Sequence, residues 1–575
     1  MKKILAFALA VMMVILCCAC GGDTGKDVSS KPTGNNDSTV SSNDSITSSD
    51  EEVSSESSKK EDTTNKNGSV VVGGTAYESF IIDEDSNVKF EGATKGGISS
   101  LDTPWNATGL KKTGYSDAEA KTVRESIMNT PNTMDIYGDK ITGKVYYVSP
   151  DGDDNNDGLS PKTAIKTLDA DKFLMNDFQP GDAVLFERGG IWRVTNKLKT
   201  KKGVVYGSYG EGPKPAFYAS PYNYADEYFW SPSNRANIWK VTVADSDIGL
   251  VVFNHGEAVG VKKLNGLVAI EKNFDFYFNV NEDTLYIYYD GGNPGKVFKD
   301  IEIGLNMPII DVSNQENVTI DNLSIKYSGR FGIDLCGCDG STITNCELGF
   351  IGGALQTGST RLGNAIQTWN GVTNQVISNN WIYQIYDTGI TWQGDNKYKT
   401  FHMGDTYENI TFEKNLIEFC TMSFEFWHGN AEYDASGKTT YTHDYETRAK
   451  VINFQIINNI SRLPGWGWGA QRPDLVGAHI MCYKHIFPNA VGNKISGNVF
   501  DSAYSFLVTW EMPSKAVENK RNGEWDISGN TWYQQASKFN DGIRYNNSFN
   551  KASNQKELET VVAGFDTAPK AVKWF

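Results

Sequence analysis

The segment Ile377-Ser-Asn-Asn380-Trp-Ile382 is the first of five copies of one short pattern. Each copy has an apolar residue, two variable residues, an Asn and one variable residue, and all copies but the third end on an apolar residue. The other copies are Phe412-Glu-Lys-Asn415-Leu-Ile417, Ile456-Ile-Asn-Asn459-Ile-Ser461, Ile495-Ser-Gly-Asn498-Val-Phe500 and Ile527-Ser-Gly-Asn530-Thr-Trp532. An Asn at one register of successive strands is typical of a solenoid bend, because Asn tolerates φ > 0 and its amide can bond to the Asn of the next coil. The pattern predicts an all-β fold, a right-handed parallel β-helix.

The spacing of the pattern indicates long loops. Successive Asn residues lie 35, 44, 39 and 32 positions apart, whereas a bare coil needs about 20 to 25 residues. We therefore expect insertions on one face, which is often the binding face. Upstream, Leu323 and Cys346 occupy the Asn position, so the ladder is expected to begin around Asn380. The alternative is an antiparallel sheet with chance Asn turns, but regular hairpin signals are missing.

Composition restricts the partner. The chain has 575 residues, a formal net charge of −16 and a pI near 5.0. Nucleic acid is excluded as the partner, because phosphate binding needs clustered Lys and Arg. We expect a monomer whose partner is a polysaccharide or oligosaccharide.

The N-terminus has the features of an export signal. Lys2 and Lys3 precede a short apolar run, which is followed by Cys17-Cys-Ala-Cys20-Gly-Gly. This arrangement resembles a bacterial lipoprotein signal over residues 1–19, which implies lipidation at Cys20, with Cys18 as the fallback and an unlipidated secretory signal as the alternative. Residues 20–70 are dominated by Ser, Asp, Asn, Lys, Glu and Thr and cannot bury a core, so they predict a disordered stalk. The expected location is the extracellular face of the bacterial membrane.

The rest of the chain divides into five segments. Residues 71–143 form an N-terminal extension, with a helix at 116–129 expected to cap the solenoid. Residues 144–219 form the first coils, 220–300 a small inserted antiparallel β-domain, 301–549 further coils and 550–575 a C-terminal cap. Five Cys residues outside the signal are expected to be small core residues rather than disulfides, namely Cys336, Cys338, Cys346, Cys420 and Cys482.

Two motifs carry a resemblance to a known family. The run Val145-Tyr-Tyr-Val-Ser-Pro150, followed by Pro180-Gly-Asp-Ala-Val-Leu-Phe186, is similar to the first coils of secreted, pectate-lyase-like carbohydrate-active β-helix proteins. The stretches Phe274-Asp-Phe-Tyr-Phe278 and Thr284-Leu-Tyr-Ile-Tyr-Tyr289 resemble the inserted β-sandwich of xylosidase-type β-helix glycosidases, where the insert commonly forms one wall of the active site. The acidic run at 151–157 lacks the Gly and Glu of an EF-hand and is interpreted as a polar turn.

A row of polar residues carries the candidate chemistry. Aligning the coils on a small residue followed by an apolar one places Asp334, Gln367, Thr391 and Glu425 in one outward row, with Asp387 just before it. Adjacent coils are about 4.8 Å apart, so Asp387 and Glu425 can lie within the ~5–9 Å that glycoside hydrolysis uses. The plainer interpretation is a turn-forming Asp and a solvated Glu. The xylosidase-type resemblance implies that Asp387 is the nucleophile and Glu425 the general acid/base, and Asp334 is the alternative partner, which would favour inversion.

Loop aromatic and polar residues complete the predicted site. Among Trp369, Trp392, Trp427, Trp466, Trp468 and Trp510, about half are expected to be available to stack on sugars. The predicted substrate-binding residues are Gln367, Trp392, Trp427, His428 and Arg472. The leading hypothesis is a glycoside hydrolase with no cofactor or metal, acting on xylan-type linkages. The alternatives are a polysaccharide lyase, which would use Lys484 and His485 and would be the one case that calls for Ca²⁺, and a non-catalytic glycan-binding adhesin.

Overall fold

The computed structural model describes residues 113–167, 177–395, 406–429, 450–473, 476–482, 491–510, 525–536, 542–545 and 548–575. It also describes four short antiparallel strand pairs. One of them lies within those ranges, Leu355–Thr357 with Thr360–Arg361. The other three lie outside them: Val71–Val72 with Thr75–Ala76, Ile81–Ile82 with Val88–Lys89, and Glu432–Tyr433 with Thr439–Thr440. The predicted lipidation site Cys20, the stalk, Lys484 and His485 fall outside the described residues.

Three parallel sheets wind into a right-handed β-helix, which confirms the predicted fold. Each coil contributes one strand to each sheet, as Val376–Ser378, Trp381–Ile385 and Thr388–Asp395 do. Sheet 1 contains Val145–Val148, Ala183–Glu187, Val205–Tyr209, Thr319–Asp321, Thr342–Thr344, Val372–Thr373, Val376–Ser378, Thr406–Glu413, Lys450–Ile457, Asn493–Ser496 and Trp525–Ser528. Sheet 2 contains Ile191–Arg193, Ala216–Tyr218, Ser324–Lys326, Glu347–Ile351, Trp381–Ile385, Leu416–Glu418, Ile460–Arg462, Val499–Asp501, Thr531–Gln534 and Ala571–Trp574. Sheet 3 contains Leu198–Lys199, Ile310–Asp311, Phe331–Cys336, Asn364–Trp369, Thr388–Asp395, Met422–Gly429, Ala478–Cys482, Phe506–Trp510, Gly542–Tyr545 and the antiparallel Ser548–Lys551.

A buried Asn ladder follows the bend between sheets 1 and 2. The Oδ1 of Asn415 accepts hydrogen bonds from the backbone N–H and the Nδ2 of Asn380, at 3.1 and 3.0 Å. The same pair of bonds joins each later Asn to the next one, and the ladder ends at the carboxylate of Asp566. Its start at Asn380 is as predicted, since the next donor upstream is the backbone of Cys346.

The backbone conformation at this bend differs from the expectation. The left-handed residue is the one before each ladder Asn, at Asn379, Lys414, Asn458, Gly497 and Gly529. The prediction that the ladder Asn itself takes φ > 0 is therefore wrong. The side-chain bonds between coils explain the repeated Asn, because they occupy both the amide N–H groups and the oxygen of a fully buried residue.

The inserted domain has two antiparallel sheets and its own apolar core. One sheet contains Ser231–Pro232, Ile238–Thr242, Thr284–Tyr288, Asp275–Asn279 and Val261–Lys262. The other contains Ala258–Val259, Ile248–Phe253 and Ile301–Leu305. Because Ile301–Leu305 pairs with Ile248–Phe253, the coils resume at Ile310–Asp311, and the predicted restart at residue 301 is wrong.

The predicted N-terminal cap helix does not cover an open end. Asp117–Met128 forms with the expected Ser116–Glu119 capping box, but residues 113–140, here called the strap, lie along the outside of the coils. Its Gly114 N–H donates to Asp501, its Arg124 pairs with Glu418, and its Thr133 hydroxyl donates to Asp321. The strap also contains the helix Thr133–Tyr137 and the 3-10 turn Gly138–Lys140.

The C-terminal segment continues the solenoid. The helix Gln555–Ala563 places Leu558, Val561 and Val562 in the main core. The strand Ala571–Trp574 then pairs in parallel with Thr531–Gln534, so the coils extend beyond the predicted end at residue 549. The remaining helical turns are Pro161–Thr163, Glu227–Phe229, Asn254–Gly256, Leu267–Ala269, Pro294–Val297 and Trp468–Gln471.

The five cysteines outside the signal segment are buried, which confirms their interpretation as core residues. Within the described part of the chain, no helix is long and apolar enough to cross a membrane.

Candidate functional site

An unpaired position that recurs near the start of the sheet 3 strands determines which side chains face outward. The register between Thr388–Asp395 and Met422–Gly429 is constant, with Thr388 opposite Met422 and Ile390 opposite Phe424, but the intervening Gly389 and Ser423 do not pair. A Cβ on Gly389 would lie 2.9 Å from the Ile417 side chain, so this position faces the crowded interior and requires a small residue. Thr388 and Thr391 consequently both face outward, and Thr391 pairs with Glu425.

Glu425 is half-buried in this outward row. Its Oε2 accepts hydrogen bonds from Thr388 Oγ1 at 3.0 Å and from Gln393 Nε2 at 2.8 Å. Burial, followed by the negative charge of Asp387, raises the pKa of Glu425 to about 8, against the opposing effects of these donors and of Arg472. Glu425 thus holds a proton at neutral pH, as a general acid must.

Asp387 is held at the entry to the neighbouring strand. Its backbone N–H donates to Gly363 and its carbonyl accepts from Met422, both at 2.9 Å. Its carboxylate forms an ion pair with Arg472, and both side chains are largely shielded, with 17% and 12% of their surface exposed. The Arg472 guanidinium also lies 5.7 Å from the centre of the Tyr386 ring. Arg472, predicted to bind substrate, therefore has Asp387 as its ion-pair partner in this structure.

A chain of amides leads to Glu425. The Nδ2 of Asn364 donates to Gln367, whose Nε2 donates to the Oε1 of Gln393 at 3.1 Å, and Gln393 donates to Glu425. Gln367 is only 3% exposed. The prediction that Gln367 contacts substrate is wrong, because its polar atoms face these neighbours.

Two of the six tryptophans form an accessible stack. Trp369 and Trp427 are half-buried, and their rings are 5.5 Å apart with an interplanar angle of 16°. Both lie at the register of Gln393, on the strands either side of it. Their faces and edges provide an apolar platform beside Glu425 of the kind on which sugar rings stack.

The other tryptophans are interior. Trp392 is 2% exposed and stacks on Phe454 inside the coils, so its prediction as a sugar-binding residue is wrong. Trp466, Trp468 and Trp510 are also buried. The side chain of His428 lies outside the described residues.

Asp334 is too distant to pair with Glu425. It lies opposite Gln367, and Thr391 lies opposite Glu425, so three strand steps separate the two carboxylates. Three steps amount to about 14 Å, beyond the range of an inverting pair, so the prediction of Asp334 as the alternative partner is wrong. Burial and the adjacent Asp311 raise the pKa of Asp334 to about 7.

The inserted domain contacts the loop that carries Arg472. The backbone N–H of Lys262 donates to Gln471 Oε1, and Gln471 Nε2 donates to the carbonyl of Gly260, both at 3.2 Å. Arg361 donates to the hydroxyl of Tyr386 at 2.6 Å and lies over its ring. The insert therefore supports the side of the site where Asp387 and Arg472 lie.

No cluster of three or more metal-ligating side chains occurs among the described residues. A polar groove of about 510 Å³ lies elsewhere, between the strap and the bend of the coils, where Asn129, Asn345 and Asn379 line it. None of Asp387, Glu425 and Arg472 lines this groove.

Sequence reasoning missed Thr388, Gln393 and Asn364. Gln393 could have been found, because it is two residues after the outward Thr391 and strand side chains alternate. Thr388 could not, since its outward direction depends on the unpaired position at Gly389.

Comparisons with known proteins return structural neighbours only. No family model and no curated protein matches the sequence. The neighbours are parallel β-helix glycoside hydrolases and lyases. They include XylC in complex with xylose (12% identity, 71% of this chain and 73% of that chain, TM-score 0.41). They also include a GH136 lacto-N-biosidase from Eubacterium ramulus (15%, 80% and 71%, TM-score 0.34) and a Family 28 exopolygalacturonase from Yersinia enterocolitica (10%, 71% and 67%, TM-score 0.34).

Proposed function

We propose that this chain is a glycoside hydrolase in which Glu425 is the general acid/base and Asp387 the nucleophile. The observation that carries the proposal is a carboxyl with a raised pKa beside a second carboxylate that is paired with Arg472. Two carboxyl groups whose environments favour opposite protonation states are what acid-assisted cleavage of a glycosidic bond requires.

Each residue has a defined task in this mechanism. The Glu425 proton passes to the glycosidic oxygen, and the bond between that oxygen and the anomeric carbon breaks with its electron pair going to the oxygen. Asp387 attacks the anomeric carbon, and water, deprotonated by Glu425, releases the sugar in a second step. The Trp369–Trp427 stack supports the substrate next to these groups.

The test uses the full-length protein with a polysaccharide and aryl-glycoside panel in which β-xylosides come first, because the sequence resembles the xylosidase type. Reducing sugar and the absorbance of unsaturated uronates are followed in parallel. Glu425→Gln and Asp387→Asn are each expected to lower turnover by about 10²- to 10⁴-fold on natural linkages. The matched control is Asp334→Asn, an outward carboxyl of the same sheet, which is expected to keep activity within a few-fold.

Other outcomes identify the alternatives. Unsaturated products that persist in both carboxylate variants would indicate a lyase. Binding to a glycan without any turnover would indicate a non-catalytic surface protein. Loss of activity in Asp334→Asn to the same degree as in Asp387→Asn would overturn the proposed pairing.

We also propose that the enzyme is tethered to the outer face of the bacterial membrane through Cys20. The support is the sequence of residues 1–70, with a basic start, a short apolar run, a cysteine after a small residue and a polar stalk. A tethered hydrolase would act on polysaccharide outside the cell.

A further inference from the structure

The hydrogen bonds around Glu425 form a closed ring whose direction is fixed at one end. The backbone N–H of Thr388 donates to Asn364 Oδ1 at 3.2 Å. A backbone N–H can only donate, so this contact settles which atom of Asn364 is the oxygen and turns its Nδ2 towards Gln367. Each following amide is oriented by the one before it, and Gln393 therefore presents its NH₂ group to Glu425.

The ring closes on one oxygen. The Thr388 hydroxyl reaches Glu425 Oε2, the same atom that Gln393 reaches. Among the described residues, Oε2 is the sole acceptor recorded for that hydroxyl, so its hydrogen points to Oε2 as well. The four ring residues besides Glu425 are at most 9% exposed, so water does not compete for these bonds.

We propose that Thr388 and Gln393 are positioning residues that make Oε2 the carbonyl oxygen of Glu425 and confine the transferable proton to Oε1. This rests on the proposed function, which makes Glu425 the acid. Two donors aimed at one carboxyl oxygen favour the acid form in which that oxygen carries no hydrogen, because a carbonyl oxygen is the better acceptor. Asn364 and Gln367 act through Gln393, since they hold its amide in the donating orientation.

The consequence concerns the proton-transfer step. Oε1–H is the bond that breaks when the proton moves to the glycosidic oxygen, and Oε1 receives the electron pair of that bond. Fixing Oε2 by two hydrogen bonds prevents the carboxyl from rotating, so the proton stays on one side of the site. The charged groups that face Glu425 from the described neighbouring elements are Asp387 and Arg472. On the other side, the adjacent strand presents the uncharged Met481.

The first test is spectroscopic and does not depend on turnover. The carbonyl stretch of protonated Glu425 is isolated by infrared difference spectroscopy of the full-length protein, with Glu425→Gln as the reference. Gln393→Met removes one donor at similar size and is expected to move the stretch to higher frequency. Gln367→Met is expected to move it less, in the same direction. The matched control, Gln375→Met, replaces a buried Gln whose amide has no recorded partner in the described residues, and is expected to leave the stretch unchanged.

A second test uses rates on substrates with good and poor leaving groups. Gln393→Met and Thr388→Val are expected to lower kcat by about 10- to 100-fold on a sugar leaving group, with KM little changed. On a dinitrophenyl glycoside, which needs no protonation, the loss is expected to be small. Thr388→Ser should restore the rate, because it returns the hydroxyl.

The results separate the two proposals. A carbonyl stretch that Gln393→Met does not move would overturn the assignment of the proton to Oε1, whatever the activity. A moved stretch in a protein that hydrolyses no glycoside of the panel would support the ring and refute the glycosidase function. Equal rate losses on both kinds of leaving group would also contradict the positioning role.

Discussion

The surroundings of Glu425 and Asp387 come from residues that are far apart in sequence. Arg472 reaches Asp387 from 85 residues away, and Asp387 in turn raises the pKa of Glu425. Because Glu425 is only partly buried, its proton can exchange with solvent. The same carboxyl therefore links activity and stability to pH.

The pH dependence of stability checks this assignment. The pKa of Glu425 is about 8 in the folded protein, against 4.5 for an ordinary Glu. The folded state consequently binds the proton more tightly than the unfolded state, and its contribution to stability is complete below about pH 4.5 and is lost progressively as pH rises to about 8. We expect the melting temperature of the wild type to fall relative to that of Glu425→Gln between pH 5 and 8. A constant difference across that range would show that the Glu425 pKa is not raised.

At the scale of elements, the Asn ladder stabilises the bend between sheets 1 and 2. Asn415 is 1% exposed, and its Oδ1 accepts both the backbone N–H and the amide of Asn380. Its own Nδ2 donates to Ile377 O and to Asn459. Removing this side chain leaves buried donors and an acceptor unpaired on both sides.

Asn415→Ala is expected to lower the free energy of unfolding by about 1–3 kcal/mol, because buried polar groups then lose their partners. Chemical denaturation followed by tryptophan fluorescence measures the change. The control is Asn409→Gly in a second Asn row, which is exposed at Asn409; there Asn453 follows in the next coil, and the coil after that already has Gly492 at a left-handed position. The control is expected to change the free energy by less than about 0.5 kcal/mol. Equal effects of the two variants would contradict a structural role for the buried ladder.

At the scale of the whole molecule, the strap ties coils that are distant along the solenoid. Its Arg124 reaches the fully buried Glu418, which Arg462 also contacts. Burial by itself would raise the pKa of Glu418, but the two guanidinium groups bring it down to about 2. The strap is thus joined to the coils by a buried charge cluster as well as by the apolar contacts of Ile127.

Arg124→Met is expected to destabilise the protein by about 3–5 kcal/mol, because it leaves the buried Glu418 with one cation fewer. Differential scanning calorimetry, together with proteolysis of the strap, would detect both the loss of stability and the release of the segment. The control is Lys121→Met on the same helix, whose partner Glu125 is solvent-exposed at 3.9 Å. Its effect should stay below about 0.5 kcal/mol. Similar effects of the two variants would contradict the anchoring role of Arg124.

The proposed membrane tether is tested in cells. Cys20→Ala removes the proposed lipidated residue, and the protein is expected to move from the membrane fraction to the soluble exported fraction. Cys17→Ala is the control, because it alters the same segment without removing the proposed site. If Cys20→Ala stays with the membrane and Cys18→Ala leaves it, Cys18 carries the lipid.

The sequence by itself determined the β-helix, the start of the Asn ladder and the pair of outward carboxyls. The reason is that a repeated bend places the same residue type at the same register in every coil, so the information is periodic and local. The alternation of side chains along one strand also predicts the directions of two further residues. With Thr391 outward, Trp392 had to face inward and Gln393 outward.

Tertiary structure alone decided the rest of the site and the position of the strap. Arg472 lies on a loop, and no period relates it to Asp387. The outward direction of Thr388 depends on a skipped pairing, which a regular alternation does not predict. The helix at Asp117–Met128 has clear end signals in the sequence, but where it packs depends on Glu418, 294 residues away from Arg124. Contacts between segments that are distant in sequence leave no local pattern. Such contacts place Arg472 against Asp387 and the strap against the coils, so neither arrangement could be predicted from the sequence.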